Sequence, residues 1–353
     1  MSLLDRKCIP DFDGLKNNLL RKKPPQRVYF MECFQDEEIR DAVAEKFGLT
    51  IHLDRNEPFY DLKKEIAIQS FLGYEMILPR KIALSFPIQR REPAAEHAMV
   101  SSDPVAVGPI QSWKDFDSYP WPKPSDLDVS DLEWLEKNLP ENMKCYCLAL
   151  VGLYKMLIGY EAMFFMMYDQ PELMLAIINK LKEIFVEFCG IVSQFSCVGV
   201  IWGSDDMGHK TQTFFPPEFI KENILPLHKA CADVAHKGGK MYFLHSCGNL
   251  EKIMDALIES VHIDAKHSFE DVIVPIEEMK GRYGQRVALI GGFDVDFLCR
   301  GSEMAIRNRV RDILKVCQPG GGYCLGSGNS IAKYVPLDNY LYMLDEGRRW
   351  DNA

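Results

Sequence analysis

The chain has 353 residues, 47% of them apolar and 26% charged, the balance of an ordinary soluble globular protein. Its 41 basic and 51 acidic side chains leave a formal charge of −10, which argues against a nucleic-acid-coating surface. No apolar run approaches the roughly 18 residues that cross a bilayer.

The opening MSLLDRKCIPDFDG lacks the charged-then-apolar order of an export signal, so a cytoplasmic location is expected. The 11 cysteines are odd in number and lack framework spacing, and reduced thiols are expected. In chain order, short β-branched or aromatic runs predict strands at 27–32, 81–86, 145–151, 198–203, 240–245, 262–267, 287–291 and 322–326. Most are continuously apolar, as parallel strands buried on both faces are. Helical periodicity falls between them at 171–193, 216–236, 250–260 and 303–317. Strands alternating with helices predict one α/β domain, a (β/α)8 TIM barrel. Residues 1–26 read as an N-terminal extension. Residues 87–142, rich in Pro, Ser and Asp and carrying SYPWPKPSDLD, read as an insertion after the second strand with a helix near 130–137. Trp113, Tyr119 and Trp121 there either wall a pocket or pack among themselves.

In such a barrel, chemistry gathers at the carboxyl ends of the strands. Those ends carry Glu32 and Cys33, Asp205 and Asp206, His245 and Cys247, then His267, Asp294 and the GSGNS turn at 326–330. His245 and Cys247 are two apart, so in extended chain both side chains point the same way, with Cα atoms about 6.6 Å apart. A single zinc-like ion lies within reach of an imidazole and a thiolate so placed. Gly248 permits the turn that aims them. The pair equally suits a strand that merely ends there. Asp205 and Asp206 suit substrate orientation or acid–base work, or a loop held by Asx turns. Glu32 suits either a solvated rim or an inward-facing acid, and His267 a ligand, a hydrogen-bond donor or a seal of the rim.

Taken in order, GSDDMG (203–208), FPPEFIKENILP (215–226), FLHSCGN (243–249), GGFD (291–294) and GYCLGSGNSIAKYVP (322–336) resemble the uroporphyrinogen decarboxylase superfamily. That superfamily includes corrinoid-dependent methyltransferases, and the likeness covers most of the chain. It implies a (β/α)8 barrel with its site at the carboxyl rim. True uroporphyrinogen decarboxylases carry an arginine-rich RQAGRY segment followed by PEY after the first strand, to hold a polyanionic tetrapyrrole. Here that place reads ECFQDEE (32–38), four acids and no base, which would repel such a substrate.

The methyltransferase branch holds zinc with a His-x-Cys pair and a later cysteine, and His245 and Cys247 match the first two. Asn329 stands where the third ligand belongs; Cys324, five residues earlier, either supplies the sulfur or is a packed thiol, and an oxygen of Glu32, Asp205 or a substrate is the other way to complete the shell. The resemblance therefore implies a zinc-dependent transfer of methyl between a small methoxy, methylamine or thiol substrate and a corrinoid (cobalamin) on a partner protein. Asp205, Asp206 and Glu32 take catalytic roles in this reading, and His267, Asp294 and Asn329 bind substrate. A metal-free decarboxylase of a smaller acid, or an inert barrel that binds a corrinoid protein or small ligand, are the competing readings. Self-association is left open.

Overall fold

The computed structural model describes residues 3–88 and 107–350. Seven parallel strands follow one another around a single curled sheet in chain order. They are β1 (Met76–Ile77), β2 (Lys144–Ala149), β3 (Val198–Ser204), β4 (Met241–His245), β5 (Ala265–His267), β6 (Ala288–Ile290) and β7 (Tyr323–Cys324). Helices cover the outside, among them Pro171–Val192, Leu225–Lys237, Glu303–Cys317 and Leu337–Arg349. No helix among the described residues is long and apolar enough to cross a membrane.

The predicted first strand contributes one parallel bridge, Phe30 with Leu325. Met31 N–H donates to Leu325 C=O at 3.0 Å and Leu325 N–H to Tyr29 C=O at 2.9 Å. This segment thus lies beside β7, in the place of an eighth strand. Between it and β1 is a cavity lined by residues of both.

The predicted strand at 81–86 is not one; the second strand is instead the two-residue β1 just before it. The run KIALSF is apolar because Ile82 is buried and Leu84 and Phe86 pack on the core. Its entry is bonded differently: the Asp131 carboxylate accepts the Arg80 and Lys81 N–H groups at 2.8 and 2.9 Å. Burial and strand pairing are separate properties, and an apolar run reports only the first.

The helix Glu303–Cys317 matches its prediction. The one predicted at 216–236 is interrupted by a π-helical turn at Ile220–Ile224. Pro226, which has no N–H to donate, follows at once, and the wider turn absorbs the missing bond. The stretch predicted as helix at 250–260 is a 3₁₀ turn, a short α turn and a π turn. Helices Trp113–Ser118 and Ser130–Asn138 lie within the predicted insertion, of which 89–106 falls outside the described residues. Trp113 and Trp121 each meet Phe116 edge to face and Tyr119 meets Trp121 the same way, so the three predicted rings pack within one aromatic group, and Trp121 also lines a surface cavity.

Strand alternation divides the core in two. Tyr29, Met31, Val200, Trp202, Met241, Phe243, Ala265, Ala288, Ile290 and Cys324 fill the barrel interior. The intervening residues, such as Phe30, Ile201, Tyr242, Leu244 and Leu289, meet the helices. The helix Phe12–Leu19 adds Phe12, Leu15 and Leu19 to the interior. Its Asn18 donates to Tyr323 C=O at 2.7 Å.

Gly326 is where the first segment presses closest on β7, since a Cβ there would lie 1.9 Å from Met31 O. Gly326→Ala should therefore destabilise the fold by roughly 1–3 kcal/mol, read from the urea unfolding midpoint. Gly190→Ala, at a helical site with nothing within 4 Å, is the control and should be neutral to stabilising by up to about 1 kcal/mol.

Candidate metal centre

The alternation that points Met241 and Phe243 inward carries His245 inward as well, and likewise His267 after Ala265 and Cys33 after Tyr29 and Met31. The β4–β5 register pairs His245 with His267 directly. Their Nδ1 atoms meet at 2.8 Å, so one ring donates and the other accepts. Burial, with the positive neighbours His245 and Lys266, pushes His267 well below the ordinary imidazole range. Burial acts the same way on His245, but Cys33, Asp206 and Cys247 around it win and raise it. His245 holds the proton of the pair.

Past β4 the chain turns at Gly248, whose φ is +85°. A Cβ there would stand 2.1 Å from the Gly208 carbonyl carbon, so the 205–208 and 247–249 loops touch backbone to backbone. Cys247 Sγ consequently lies 3.6 Å from His245 Nε2, 3.4 Å from Ser268 Oγ and 3.2 Å from Asn329 Nδ2. Asp206 Oδ1 accepts the Cys247 N–H at 2.8 Å and sits 3.4 Å from His245 Nε2. Ser268 holds a left-handed φ of 84°, a strained backbone of the kind that gathers at functional sites.

Two donor groups result, each with ligand atoms within 4.8 Å of one another: Asp206, His245 and Cys247, and the wholly buried Cys33, His245 and His267. The first is half-buried at Asp206 and Cys247, open to a substrate. Its nitrogen, sulfur and oxygen donors suit zinc, and three protein ligands with a free fourth position are the usual arrangement of a catalytic zinc.

Cys324 does not join them. Phe30 pairs with Leu325, which sets Cys324 level with Tyr29, four extended residues or ~13 Å below Cys33. Its sulfur faces Asn18 Nδ2 at 3.9 Å in the packed interior. Asn329, by contrast, reaches the cysteine as a hydrogen-bond donor.

Adjacent carboxylates diverge as neighbours leaving a strand do. Asp205 is buried, bonded to Lys155 Nζ, to His228 Nε2 at 3.2 Å and to Tyr154 OH at 3.3 Å. Burial pushes its carboxyl up, but Lys155 and His228 outweigh that and hold it low. Lys155 also donates to Asp206 C=O at 2.7 Å, so the cluster fixes the loop that aims Asp206. For Asp206 too, the His245 bond and charge overcome burial and hold the carboxyl far below its ordinary range. Asp294 is a helix cap, accepting Phe297 N–H at 2.9 Å, away from the donor groups. Glu32 is buried with both oxygens on Ser327, one accepting its N–H at 2.7 Å and the other its hydroxyl. Burial raises its carboxyl to about 8 in spite of those bonds.

Sequence reasoning missed Lys155, His228, Tyr242 and Lys266. His228 Nδ1 bonds Tyr242 OH at 3.0 Å, which continues the Asp205 cluster into the wall. Lys266 is buried and donates to the carbonyls of Ser246, His267 and Ser268, tying the ends of β4 and β5 together. A lysine inside a strand or helix gives no sequence sign that it is buried.

A model of the uroporphyrinogen decarboxylase (URO-D) family matches residues 101–350, and the chain belongs to that family. Among solved structures it is similar to a methyltransferase from Methanosarcina mazei, at 16% identity and a TM-score of 0.67, over 97% of this chain and 98% of that one. The two share a fold. A 3-keto-D-glucoside 4-epimerase, YcjR, from E. coli aligns at 11% identity over 63% of this chain and 86% of that one, with a TM-score of 0.42, and supports no argument. No curated protein matches the sequence.

Two outcomes are expected. Lys155→Met leaves the buried Asp205 charge with only His228 and Tyr154 and should cost about 3–5 kcal/mol of stability in urea unfolding. Glu32 holds its proton when folded between its ordinary 4.5 and about 8, whereas the unfolded chain has released it. Its stabilising contribution is thus full below 4.5 and lost as pH rises towards 8. Glu32→Gln, which can keep both Ser327 contacts, should show a shallower decline of unfolding midpoint across that window.

Proposed function

We propose that the protein is a zinc-dependent methyltransferase. In this reading it moves a methyl group between a small methoxy, methylamine or thiol substrate and a corrinoid carried by a separate protein. The observation that carries the reading is the meeting of His245 Nε2, Cys247 Sγ and an Asp206 carboxylate oxygen within 4.8 Å at a half-open position on the rim. The M. mazei neighbour is described as a methyltransferase, which supports the direction of the reading.

Zinc at these donors would turn a bound thiol into a thiolate nucleophile at neutral pH, or polarise a methoxy or amine donor as a Lewis acid. His245 would bind through Nε2 while His267 fixes its ring from the other nitrogen. Asn329 Nδ2 and Ser268 Oγ lie 3.2 and 3.4 Å from the Cys247 sulfur and hold it in place. Asp206 would supply the third donor in place of a sulfur. Its carboxylate is ionised and pre-aimed by the Lys155–Asp205 clamp, so binding costs little reorganisation. Glu32 lines the adjoining cavity, and His267 is buried behind His245.

The cavity beside the centre is lined by five acids and one arginine, which disfavours decarboxylation of an anionic substrate as the competing activity.

Metal analysis of the purified chain should find about one zinc per molecule, lost in His245→Ala and in Cys247→Ala. With a reduced corrinoid protein and a panel of methyl donors, one donor should give the spectrum of methylcobalamin. A chain that stays metal-free when zinc is supplied overturns the reading.

A further inference from the structure

The second donor group, Cys33, His245 and His267, shares only His245 with the group at the rim. Its ligand atoms lie within 4.8 Å of one another, and its members are 4%, 8% and 0% exposed. They come from three parts of the chain: Cys33 follows the inward-facing Tyr29 and Met31, and the histidines end β4 and β5. Around them the interior is apolar. The Trp202 ring stands edge to face on His267 at 5.5 Å, and Phe243 and Ile290 lie on the same inner face. His267 Nε2 is buried without a hydrogen-bond partner among the described residues. A buried polar atom left unpaired needs an explanation, and service of the ring as a ligand supplies one.

The donors speak to the kind of ion. A divalent zinc on one thiolate and two neutral imidazoles leaves a net positive charge in a dry interior, where uncompensated charge is costly. A structural zinc also takes four ligands, whereas this group offers Cys33, His245 and His267 alone, all buried. Cu(I) on the same donors is neutral. It is selected by soft thiolate, accepts imidazole, and two histidines with one cysteine are the donor set of trigonal copper sites. The rim group balances differently. With the Cys247 thiolate and the Asp206 carboxylate, it is a divalent ion that becomes neutral there.

His245 cannot serve both positions. A neutral imidazole has one free nitrogen, the other carrying a proton. The Nδ1 atoms of His245 and His267 meet at 2.8 Å over a shared proton, and a metal held by both rings takes the place of that proton. With His245 ligated inside, its other nitrogen carries a proton and has no lone pair for zinc. The thiol proton of Cys33 leaves to solvent on binding, as for any thiolate ligand.

We propose that Cys33, His245 and His267 form a second metal site, selective for Cu(I), whose occupation takes His245 away from zinc. The exclusion of zinc rests on the zinc reading of the rim; the binding of Cu(I) stands on the donor set alone.

The test is anaerobic titration of the whole metal-free chain with Cu(I) delivered from its bicinchoninate complex. The chain should withdraw about one Cu(I) per molecule. Cys33→Ser and His267→Gln should each weaken that binding by at least about a hundredfold. Cys247→Ala should keep the Cu(I) affinity while losing zinc. Added to the zinc-loaded chain, Cu(I) should release zinc in equal amount, read with a chromophoric zinc indicator. X-ray absorption at the copper edge, which needs no variant, should show sulfur and nitrogen neighbours in the ratio of one cysteine to two histidines. Several sulfurs at copper overturn the proposal. So does a Cys247→Ala chain that loses as much Cu(I) affinity as Cys33→Ser, which puts the copper at the rim, or zinc that stays bound beside Cu(I). A chain that takes zinc but no Cu(I) removes this proposal alone. One that holds Cu(I) on Cys33 and His267 but never takes zinc upholds the inner site and removes the zinc reading.

Discussion

The register between β4 and β5 sets His245 beside His267 on the inner face of the barrel, and the rim is built outward from that pairing. Because side chains alternate along a strand, placing Phe243 in the interior obliges His245 to follow it. Two imidazoles in contact at 2.8 Å share one proton between them, which fixes which nitrogen of His245 faces outward. The floor beneath is dry and close-packed: Trp202 and Phe243 meet edge to face, and Trp202 meets His267 the same way. A ligand ring resting on such a floor has little freedom to turn, which is the precondition for a metal position with defined geometry.

Buried charge performs a second task. An ion pair taken wholly out of water adds little net stability over apolar packing, because desolvation cancels most of the attraction. Lys155, Asp205 and His228 are nonetheless all buried together. What the cluster supplies is direction. Lys155 grips both the Asp205 carboxylate and the Asp206 carbonyl, so the neighbouring acid is presented to His245 and Cys247 in one orientation. Of two adjacent aspartates, one is an anchor and the other a donor, and the alternation of the chain as it leaves β3 assigns the parts.

Electrostatics then bear on what reaches the centre. The tetrapyrrole-binding members of this family depend on arginines after the first strand, and this chain places acids at that position. Three of those acids, Glu32, Asp36 and Glu37, line the cavity next to the donor groups. Burial raises the carboxyls of Glu32 and Glu75 to about 8, that of Glu75 in spite of its ion pair with Arg27.

Much of this was legible in the chain of letters. Alternation of apolar runs with helical periodicity gave the α/β class, and the ordered motifs gave the family. The two-residue spacing of His245 and Cys247 brought them together because that spacing is local and the backbone is extended there. Three things were not legible, and for related reasons. The short β1 was hidden because a two-residue pairing leaves too brief a pattern, while the more apolar 81–86 run nearby buries without pairing. Cys324 looked like a third ligand in sequence, but its height in the barrel is set by pairing with a segment almost three hundred residues earlier, and that register lies below the rim. Lys155, His228 and Lys266 carry no local signature, since burial of a charged side chain depends on partners brought from other strands. The sequence by itself determined the elements, the family and the pair of soft donors, because these are local patterns. Only the tertiary structure decided which acid faces that pair and which cavity adjoins it, because both follow from inter-strand register and the satisfaction of buried charge.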